Sequence, residues 1–440
     1  MVKTELLPTK ENLINTFLSN AIDRNDDIAD FVRLLNSVET SLSVAVDGSW
    51  GSGKTFFVKQ TKMIFDSFNE YTQVSHGLSD EEKEKITVEF FKHEKTGLKV
   101  KNFVSVYFDA WEYDSDDEPI ESLVYQISKD VSSAYKISAE HDYLGVASAV
   151  FDCVTGRKTK DLLKELKGKS IVEGTKTNKG LKELVNEFFD NLLPEHGERL
   201  VVFVDELDRC NPKFAVKLLE RIKHYFTNEN ITFVFSVNKE QLQHTIKQHY
   251  GNDFDAYNYL DRFFDLTVSI PKCNLQKYVD TISTSISDVV YQVSYHMATR
   301  FNMSMRTVSH YIESVNIATK NISGAEAGIN YFCINYVFPF ALALKYTDID
   351  KYNSFMNGSE SDLFKNILTE NDEISYYIQE CFYGCNSDEI QKNLVETYNA
   401  IFVQTPFSKQ RVKVCNFNIT KSAKEFLMKR LSLLIKNTSY

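Results

Sequence analysis

An octapeptide at residues 48–55, Gly-Ser-Trp-Gly-Ser-Gly-Lys-Thr, constrains the fold more than any other part of the chain. It fits the pattern G-x-x-x-x-G-K-[ST], and it lies between a short apolar run (41–46) and a helical pattern (56–68). In such a strand–loop–helix unit, glycines let successive backbone N–H groups turn toward a phosphate, and the helix N-terminus points at the same charge. The pattern therefore predicts a phosphate-binding loop, or P-loop, at the carboxyl end of a β-strand.

Every residue of this loop is a candidate for nucleotide contact. The lysine, Lys54, can reach the β- and γ-phosphates, and the hydroxyl of Thr55 can ligate Mg²⁺. The alternative is a structural glycine-rich turn, which the strand and helix on either side disfavour. The predicted nucleotide-binding residues are Gly48, Ser49, Trp50, Gly51, Ser52, Gly53, Lys54 and Thr55.

The strongest buried-strand pattern of the chain is Leu-Val-Val-Phe-Val at residues 200–204, and it ends in two acids. A carboxylate at the exit of a buried strand can enter the Mg²⁺ shell, which predicts a metal-ligand role for Asp205. The next residue, Glu206, can polarise a water for attack on the γ-phosphate. A further strand pattern at 101–108 intervenes between the two motifs, which we interpret as the mark of the additional-strand branch of P-loop ATPases.

A polar residue also follows the strand pattern at 231–237. Asn238 can contact the γ-phosphate or the attacking water, and we predict a catalytic role for it; Ser236 is an alternative for the same task. The structural alternative is that Asn238 caps the helix that begins at Lys239.

Strand and helix patterns alternate as far as residue 273, which predicts an α/β fold with a parallel sheet and helices on both faces. The last strand pattern, 266–270, stops at Pro271, and helical patterns dominate after about residue 275. We therefore predict an additional-strand P-loop NTPase domain over residues 1–273 and a mostly α-helical C-terminal domain over 274–440. At the N-terminus, the spacing predicts a helix over 11–38.

Two charged stretches stand apart from these patterns. Residues 114–199 open acidic and turn basic at 157–179, which is typical of a solvated insertion. Residues 424–436 form a basic amphipathic helical pattern, which we expect to pack its apolar side on its own domain. Contact with a membrane surface or with an acidic partner is the alternative for this helix.

The bulk composition excludes several classes. The formal net charge of −11 opposes duplex DNA, although the basic segments keep a nucleic-acid-associated ATPase as an alternative. The seven cysteines are scattered without zinc-ligand spacing, as expected for reduced thiols. The N-terminus has charges where a signal peptide needs an apolar core, and no stretch is long and apolar enough to span a bilayer. We expect a cytoplasmic protein.

Four motifs in order resemble the KAP family of P-loop NTPases. They are the loop with its internal tryptophan (48–55), Phe-Asp-Ala-Trp-Glu-Tyr (108–113), Val-Asp-Glu-Leu-Asp-Arg-Cys (204–210) and Tyr-Leu-Asp-Arg-Phe-Phe (259–264). The resemblance covers roughly residues 30–271. It implies ATP as the nucleotide, and the chain also lacks the aspartate of a guanine-binding N-K-x-D motif at Asn238. Many members of the family insert transmembrane helices in the NTPase domain, whereas the charged 114–199 stretch cannot span.

The resemblance further implies a conformational switch or assembly ATPase of bacterial signalling or antiviral defence, acting with protein partners or as a homo-oligomer. The fourth motif contributes Arg262 as a candidate for the cation that neutralises charge on the transferring phosphoryl group. The alternatives for Arg262 are an ion pair with Asp261 or Asp265, and Arg209 is a competing cation. A nucleotide-stabilised scaffold with little turnover is the second hypothesis for the whole chain, and Glu206 counts against it.

Overall fold

The computed structural model describes residues 7–72, 77–134, 181–283, 286–320, 328–403, 411–420, 425 and 427–431 of the 440. The chain divides into two compact units, Leu7–Cys273 and Asn274–Tyr440.

The first unit is built on a five-stranded parallel sheet. Its strands are β1 (Leu42–Asp47), β2 (Phe103–Asp109), β3 (Arg199–Asp205), β4 (Ile231–Val237) and β5 (Leu266–Ser269). Their order across the sheet is β2-β3-β4-β1-β5, with parallel pairing at every step. All seven residues of β3 and of β4 are buried, as expected for strands covered by helices on both faces. The predicted additional-strand α/β fold is confirmed.

The additional strand is not the one that the sequence indicated. The strand predicted at 101–108 is β2, which lies at the edge of the sheet beside β3. The strand that separates the P-loop strand β1 from the Asp205 strand β3 is β4, which pairs with both. Order along the chain and order across a sheet differ because parallel strands are joined by long crossover connections.

Nine helices of the described part surround this sheet. They are α1 (Lys10–Leu18), α2 (Asn25–Asn36), α3 (Lys54–Phe68), α4 (Asp80–His93), α5 (Pro119–Ala134), α6 (Leu181–His196), α7 (Pro212–Tyr225), α8 (Lys239–Tyr250) and α9 (Ala256–Leu260). The single helix predicted over 11–38 is therefore two helices. Asn20 (φ 46°) and Asp23 (φ 58°) take left-handed backbone conformations between them, which a continuous right-handed helix cannot include.

The expectation of a solvated insertion over 114–199 was wrong at both of its ends. The apolar side chains of α5, including Leu123 and Ile127, are fully buried in the core of the sheet unit, and so are Phe188 and Phe189 of α6. The apolar residues of α5 and α6 recur at helical spacing, which is typical of a core helix, although the stretch as a whole is highly charged. Residues 135–180, with the basic segment 157–179, lie outside the described residues.

The second unit is mostly helical, as predicted. Its helices are α10 (Leu275–Ile282), α11 (Asp288–Arg300), α12 (Met305–Thr319), α13 (Gly328–Phe332), α14 (Phe338–Thr347), α15 (Ile349–Met356), α16 (Ser361–Thr369), α17 (Asp372–Cys381) and α18 (Ser387–Phe402), with a π-helical turn at Cys333–Val337. Sequence reasoning missed an antiparallel hairpin of two short strands, β6 (Arg411–Val414) and β7 (Phe417–Thr420).

The described part of the basic C-terminal segment, residues 425 and 427–431, is helical. Leu427 and Leu431 are almost completely buried, and the Arg430 guanidinium donates hydrogen bonds to the carbonyl groups of Ile317 (3.2 Å) and Lys320 (2.5 Å). These contacts agree with packing on its own domain over the described residues; the rest of 424–436 lies outside them. No helix in the described ranges is long and apolar enough to cross a membrane.

Candidate nucleotide-binding site

The glycine-rich loop connects the end of β1 to the start of α3, as the sequence predicted. Gly51 (φ 76°) and Gly53 (φ 88°) both take the left-handed conformation that favours glycine. A Cβ atom on Gly48 would lie 2.3 Å from Cγ2 of Ile270 and 2.9 Å from Oγ of Ser52, so only glycine fits there. The Gly48 N–H donates to the carbonyl of Val237 (3.2 Å), which fixes the loop against β4.

Lys54, the first residue of α3, is only 9% exposed. Its ammonium group donates hydrogen bonds to the carbonyl oxygens of Gly48 (2.7 Å) and Ser49 (3.2 Å), so it folds back over the loop. Burial lowers the pKa of this ammonium, while the carboxylates of Asp208 and Asp205 act in the opposite direction. The side chain is a partly desolvated cation aimed at the concave side of a phosphate loop, which suits phosphate oxygens.

Thr55, in the first turn of α3, meets Asp205, the last residue of β3. The Thr55 hydroxyl donates a 2.8 Å hydrogen bond to Oδ2 of Asp205, and the Tyr107 hydroxyl donates to the same oxygen over 2.9 Å. The backbone N–H of Glu206 donates to Oδ1 of Asp205 (3.0 Å). The Thr55 hydroxyl and the Asp205 carboxylate thus place two hard oxygen donors side by side, which is the ligand chemistry that Mg²⁺ takes together with phosphate oxygens and waters.

This donor set fits a magnesium–nucleotide complex better than a metal held by protein alone. Among the described residues, no group of three or more His, Cys, Asp or Glu side chains could hold a metal ion. Mg²⁺ is usually bound through one or two carboxylates and completed by substrate phosphates. The residues present therefore fit the cation that accompanies a nucleoside triphosphate.

Glu206 takes a left-handed backbone conformation (φ 61°) immediately after β3. Its carboxylate forms an ion pair with Arg209, whose Nε lies 2.8 Å from Oε2. Burial raises the pKa of the Glu206 carboxyl, the charge of Asp205 adds to this effect, and Arg209 opposes it. A strained backbone that holds a carboxylate beside the metal-ligand aspartate is common at functional sites.

Trp50 links the loop to the turn that follows β3. Its indole N–H donates a 2.6 Å hydrogen bond to Oδ2 of Asp208, and the Arg209 guanidinium lies 5.7 Å from the ring centroid. Trp50 nevertheless stays 46% exposed. A tryptophan in the phosphate loop and the Asp-Arg pair after Glu206, which the sequence treats as separate motifs, are one contact network in space.

Two residues near Asp205 were not predicted as site residues. Tyr107 on β2 contacts Asp205 directly, and Asp109, at the end of β2, lies opposite Asp205 in the parallel register. Burial raises the pKa of the Asp109 carboxyl, and the charge of Asp205 raises it further. Asp109 could have been found from its place at the end of a strand pattern, because polar residues at the carboxyl ends of parallel strands share one edge of the sheet. Tyr107, inside the strand, gave no such signal.

The remaining predicted residues differ in their relation to this centre. The Asn238 side chain caps α8, since its Oδ1 accepts the N–H of Gln241 (3.2 Å). Ser236 lies opposite Asp205 in the β3–β4 register and is fully buried, and its hydroxyl has no hydrogen-bond partner among the described residues. Arg262 is exposed between α9 and β5. Among the described residues its guanidinium forms no ion pair; the Asp265 carboxylate instead accepts the Ser43 N–H (2.9 Å).

Comparison with known proteins agrees with this site. The model of the KAP family P-loop domain matches residues 24–322. An uncharacterized protein of Methanocaldococcus jannaschii is 27% identical over 170 residues, which cover 30% of this chain and 88% of that protein. A DNA polymerase III gamma subunit-related protein of Thermotoga maritima aligns at 12% identity over 93% of this chain and 98% of its own. Its TM-score of 0.22 does not establish a shared fold. Since the family model spans more than half of the sequence and includes the loop, Asp205 and Glu206, the chain belongs to the KAP family of P-loop NTPases.

Proposed function

We propose that this chain binds ATP with Mg²⁺ and hydrolyses it. The observation that carries the proposal is the position of four residues at one edge of the sheet, where Lys54 and Thr55 open α3, Asp205 ends β3 and Glu206 follows it. Each has the chemistry that phosphoryl transfer to water requires: a cation for the phosphates, two oxygen ligands for the metal and a carboxylate for the water.

The bound Mg²⁺ supplies charge neutralisation at the β- and γ-phosphate oxygens. Lys54 exchanges its hydrogen bonds to the loop carbonyls for phosphate oxygens, which have higher negative charge. The glycines of the loop let backbone N–H groups point at the same oxygens. Glu206 orients and deprotonates the attacking water, which requires its carboxylate to leave or share the ion pair with Arg209.

ATP is proposed as the nucleotide on two grounds. The family resemblance points to ATP, and the residues after Asn238 read Lys-Glu-Gln, without the aspartate that recognises guanine. Asn238 itself already uses its side-chain oxygen to cap α8.

We further propose that nucleotide turnover operates a switch or an assembly step, with residues 1–273 as the NTPase domain and 274–440 as the domain that responds. The division of the chain into Leu7–Cys273 and Asn274–Tyr440 supports this boundary. Arg262, exposed and without an ion-pair partner among the described residues, is the proposed cation for a neighbouring copy.

A nucleotide-stabilised scaffold is the second candidate, and one observation favours it. The Arg209 guanidinium lies 2.8 Å from one oxygen of the Glu206 carboxylate, and this ion pair makes the carboxylate a weaker base toward water. The two candidates differ in a single measurable property, which is the rate of phosphate release.

Phosphate release at several protein concentrations, with ATP or GTP and with or without duplex DNA, tests the proposal. We expect Mg²⁺-dependent release from ATP that does not require DNA and that Lys54→Ala abolishes. Binding of Mg-ATP without release would favour the scaffold, and release only in the presence of DNA would favour a nucleic-acid-associated ATPase.

A further inference from the structure

A cavity of about 420 Å³ lies beside the nucleotide site, between α3, α1, α5 and the edge strand β2. Its volume falls in the range of small-molecule sites, which is roughly 300–1,000 Å³. Nothing in the proposed hydrolytic chemistry uses it. The residues that line it show which class of molecule it suits.

Most charged groups of the cavity wall are already paired. Lys62 forms an ion pair with Asp66 (2.7 Å), and Asp66 also accepts a hydrogen bond from Ser105. The Asp130 carboxylate accepts from the side-chain amide of Gln126 (2.7 Å). Asp66 is thus committed to Lys62, whereas Asp130 is held by a neutral amide.

Lys59 is the exception among the three lysines of the wall, since Lys10 pairs with Glu82 and Lys62 pairs with Asp66. Among the described residues the Lys59 ammonium forms no ion pair and no hydrogen bond, and it lies 4.1 Å from the centroid of the Tyr107 ring. The residue is half-buried, and this burial lowers the pKa of the ammonium. A desolvated cation held only by an aromatic face gains most from an anionic ligand.

The rest of the wall is apolar. Leu13, Met63 and Leu78 line the cavity together with the ring of Tyr107. Inorganic phosphate would satisfy Lys59 but would leave these surfaces in contact with water. An anion that carries an aromatic or short aliphatic body fits both features of the site.

Tyr107 connects this cavity to the metal ligand. The Lys59 ammonium lies over the Tyr107 ring, and the Tyr107 hydroxyl donates a 2.9 Å hydrogen bond to Oδ2 of Asp205. Lys59 is also close enough to Asp205 for the aspartate charge to act on its pKa. An anion on Lys59 removes the pull of this cation on the Tyr107 ring, which weakens the Tyr107 hydroxyl as a donor and frees Oδ2 of Asp205 for Mg²⁺.

We propose that the cavity is a regulatory site for a small organic anion, bound through Lys59 and coupled through Tyr107 to Asp205. The proposal that an anion binds is based on the cavity alone. The coupling rests on the proposed nucleotide site, and reciprocity requires that the nucleotide and the anion change each other's affinity by the same factor.

Binding is tested with phenyl phosphate on the full chain carrying Lys54→Ala, which removes phosphate affinity from the loop. Isothermal titration should show that phenyl phosphate binds, and that Lys59→Gln weakens this binding at least tenfold. Lys59→Arg should retain it. Lys92→Gln, at an exposed lysine of α4, is the control and should leave it unchanged. Benzyl alcohol, which lacks the charge, and inorganic phosphate, which lacks the ring, should both bind at least tenfold more weakly. Equal binding by either compound, or binding that Lys59→Gln leaves intact, overturns the assignment.

Coupling is tested by the affinity for Mg-ADP with and without saturating phenyl phosphate, in the chain with Lys54 intact. We expect an increase of about fivefold, within the usual range of coupling between sites. Tyr107→Phe keeps the ring and should keep phenyl phosphate binding while losing the increase; Lys59→Gln should lose both. An unchanged or weakened Mg-ADP affinity contradicts the regulatory role. If the unmodified chain does not bind nucleotide, the proposed function is refuted, whereas the result on phenyl phosphate binding remains valid.

Discussion

The indole N–H of Trp50 donates a 2.6 Å hydrogen bond to the carboxylate of Asp208, although the two residues are 158 positions apart. This bond joins the phosphate loop to the turn after β3. Arg209, the next residue, lies over the Trp50 ring and holds the Glu206 carboxylate at 2.8 Å. Movement of the loop around a phosphate group therefore reaches the residue that we assign to water activation.

Weakening this hydrogen bond at the donor or at the acceptor should lower turnover by the same factor. Trp50→Phe removes the donor and keeps an aromatic ring under Arg209, while Asp208→Asn removes the charge of the acceptor. We expect each to lower the turnover number about tenfold, because a hydrogen bond to a charged group contributes about 1.5–3 kcal/mol. Nucleotide affinity should fall less than turnover, since Lys54 and Thr55 stay in place and Asp208 acts on the Lys54 ammonium only through its charge.

The double variant is the control. If the two side chains act only through their mutual bond, Trp50→Phe with Asp208→Asn should be about as slow as either single variant. Additive losses, near a hundredfold in total, would mean that the residues act separately and that the bond does not transmit loop movement.

Two positions on or after β4 compete for contact with the γ-phosphate or the water. The Ser236 hydroxyl is buried beside Asp205 without a partner among the described residues, whereas Asn238 caps α8. We expect Ser236→Ala to lower turnover about tenfold without loss of stability, because a buried hydroxyl with no partner stabilises nothing. Asn238→Ala should instead cost about 1 kcal/mol of unfolding free energy, as loss of an N-cap does.

Asn238→Asp separates the roles of this residue, since aspartate caps helices equally well but offers no amide donor. Turnover and thermal unfolding should both remain near those of the unmodified chain. Slow turnover in Asn238→Asp with normal turnover in Ser236→Ala would restore Asn238 as the catalytic contact.

Arg262 should matter for turnover and not for binding. Its exposed guanidinium forms no ion pair with Asp261 or Asp265 among the described residues, and the Asp265 carboxylate accepts the Ser43 N–H. If it neutralises the transferring phosphoryl group of a neighbouring copy, Arg262→Ala should lower turnover by roughly 10³-fold at nearly unchanged ATP affinity. Mixing Arg262→Ala with Lys54→Ala should then recover part of the activity. Activity within twofold of normal for Arg262→Ala would contradict the role.

The connection between α2 and the segment after α4 should weaken in acid. The Glu94 carboxylate is buried, which alone would raise its pKa, but hydrogen bonds from Thr96, the Leu98 N–H (3.0 Å) and Arg33 hold that pKa at about 2. Because the folded-state pKa is depressed, the stabilisation is complete above the unfolded-state pKa of about 4.3 and is lost as the pH falls toward 2.

Glu94→Gln reports on this contribution. Urea unfolding at pH 7 should show a loss of about 2 kcal/mol, typical of hydrogen bonds to a charged group. The difference from the unmodified chain should shrink between pH 4.5 and pH 2. A difference that stays constant over this range would show that the Glu94 charge is not what stabilises the fold.

The sequence predicted those parts of the site whose residue types are fixed by local geometry. Gly51 and Gly53 need left-handed backbone, Lys54 and Thr55 must open a helix, and Asp205 must end a buried strand. All of these requirements act within a few residues along the chain. The motifs therefore predicted the phosphate-binding loop, the strands β1 and β3, and the fold class.

Contacts between distant elements could not be predicted in this way. The bond from Tyr107 to Asp205 depends on β2 pairing with β3, and the bond from Trp50 to Asp208 depends on the width of the sheet between β1 and β3. The position of β4 between these strands follows from crossover connections, which leave no local pattern. The sequence did not identify α5 as a core helix, because the residues before it are acidic.

Hydrolysis by Glu206→Gln, measured together with binding, tests the central claim most directly. The amide keeps the shape of the side chain and loses its basicity, so Mg-ATP should bind with nearly normal affinity while single-turnover hydrolysis slows by about 10²–10⁴-fold. Lys54→Ala, in contrast, should lose binding altogether, and with it the thermal stabilisation of about 2.7 kcal/mol expected at a hundred times the dissociation constant. Hydrolysis at the normal rate in Glu206→Gln, or normal Mg-ATP binding in Lys54→Ala, would contradict the account.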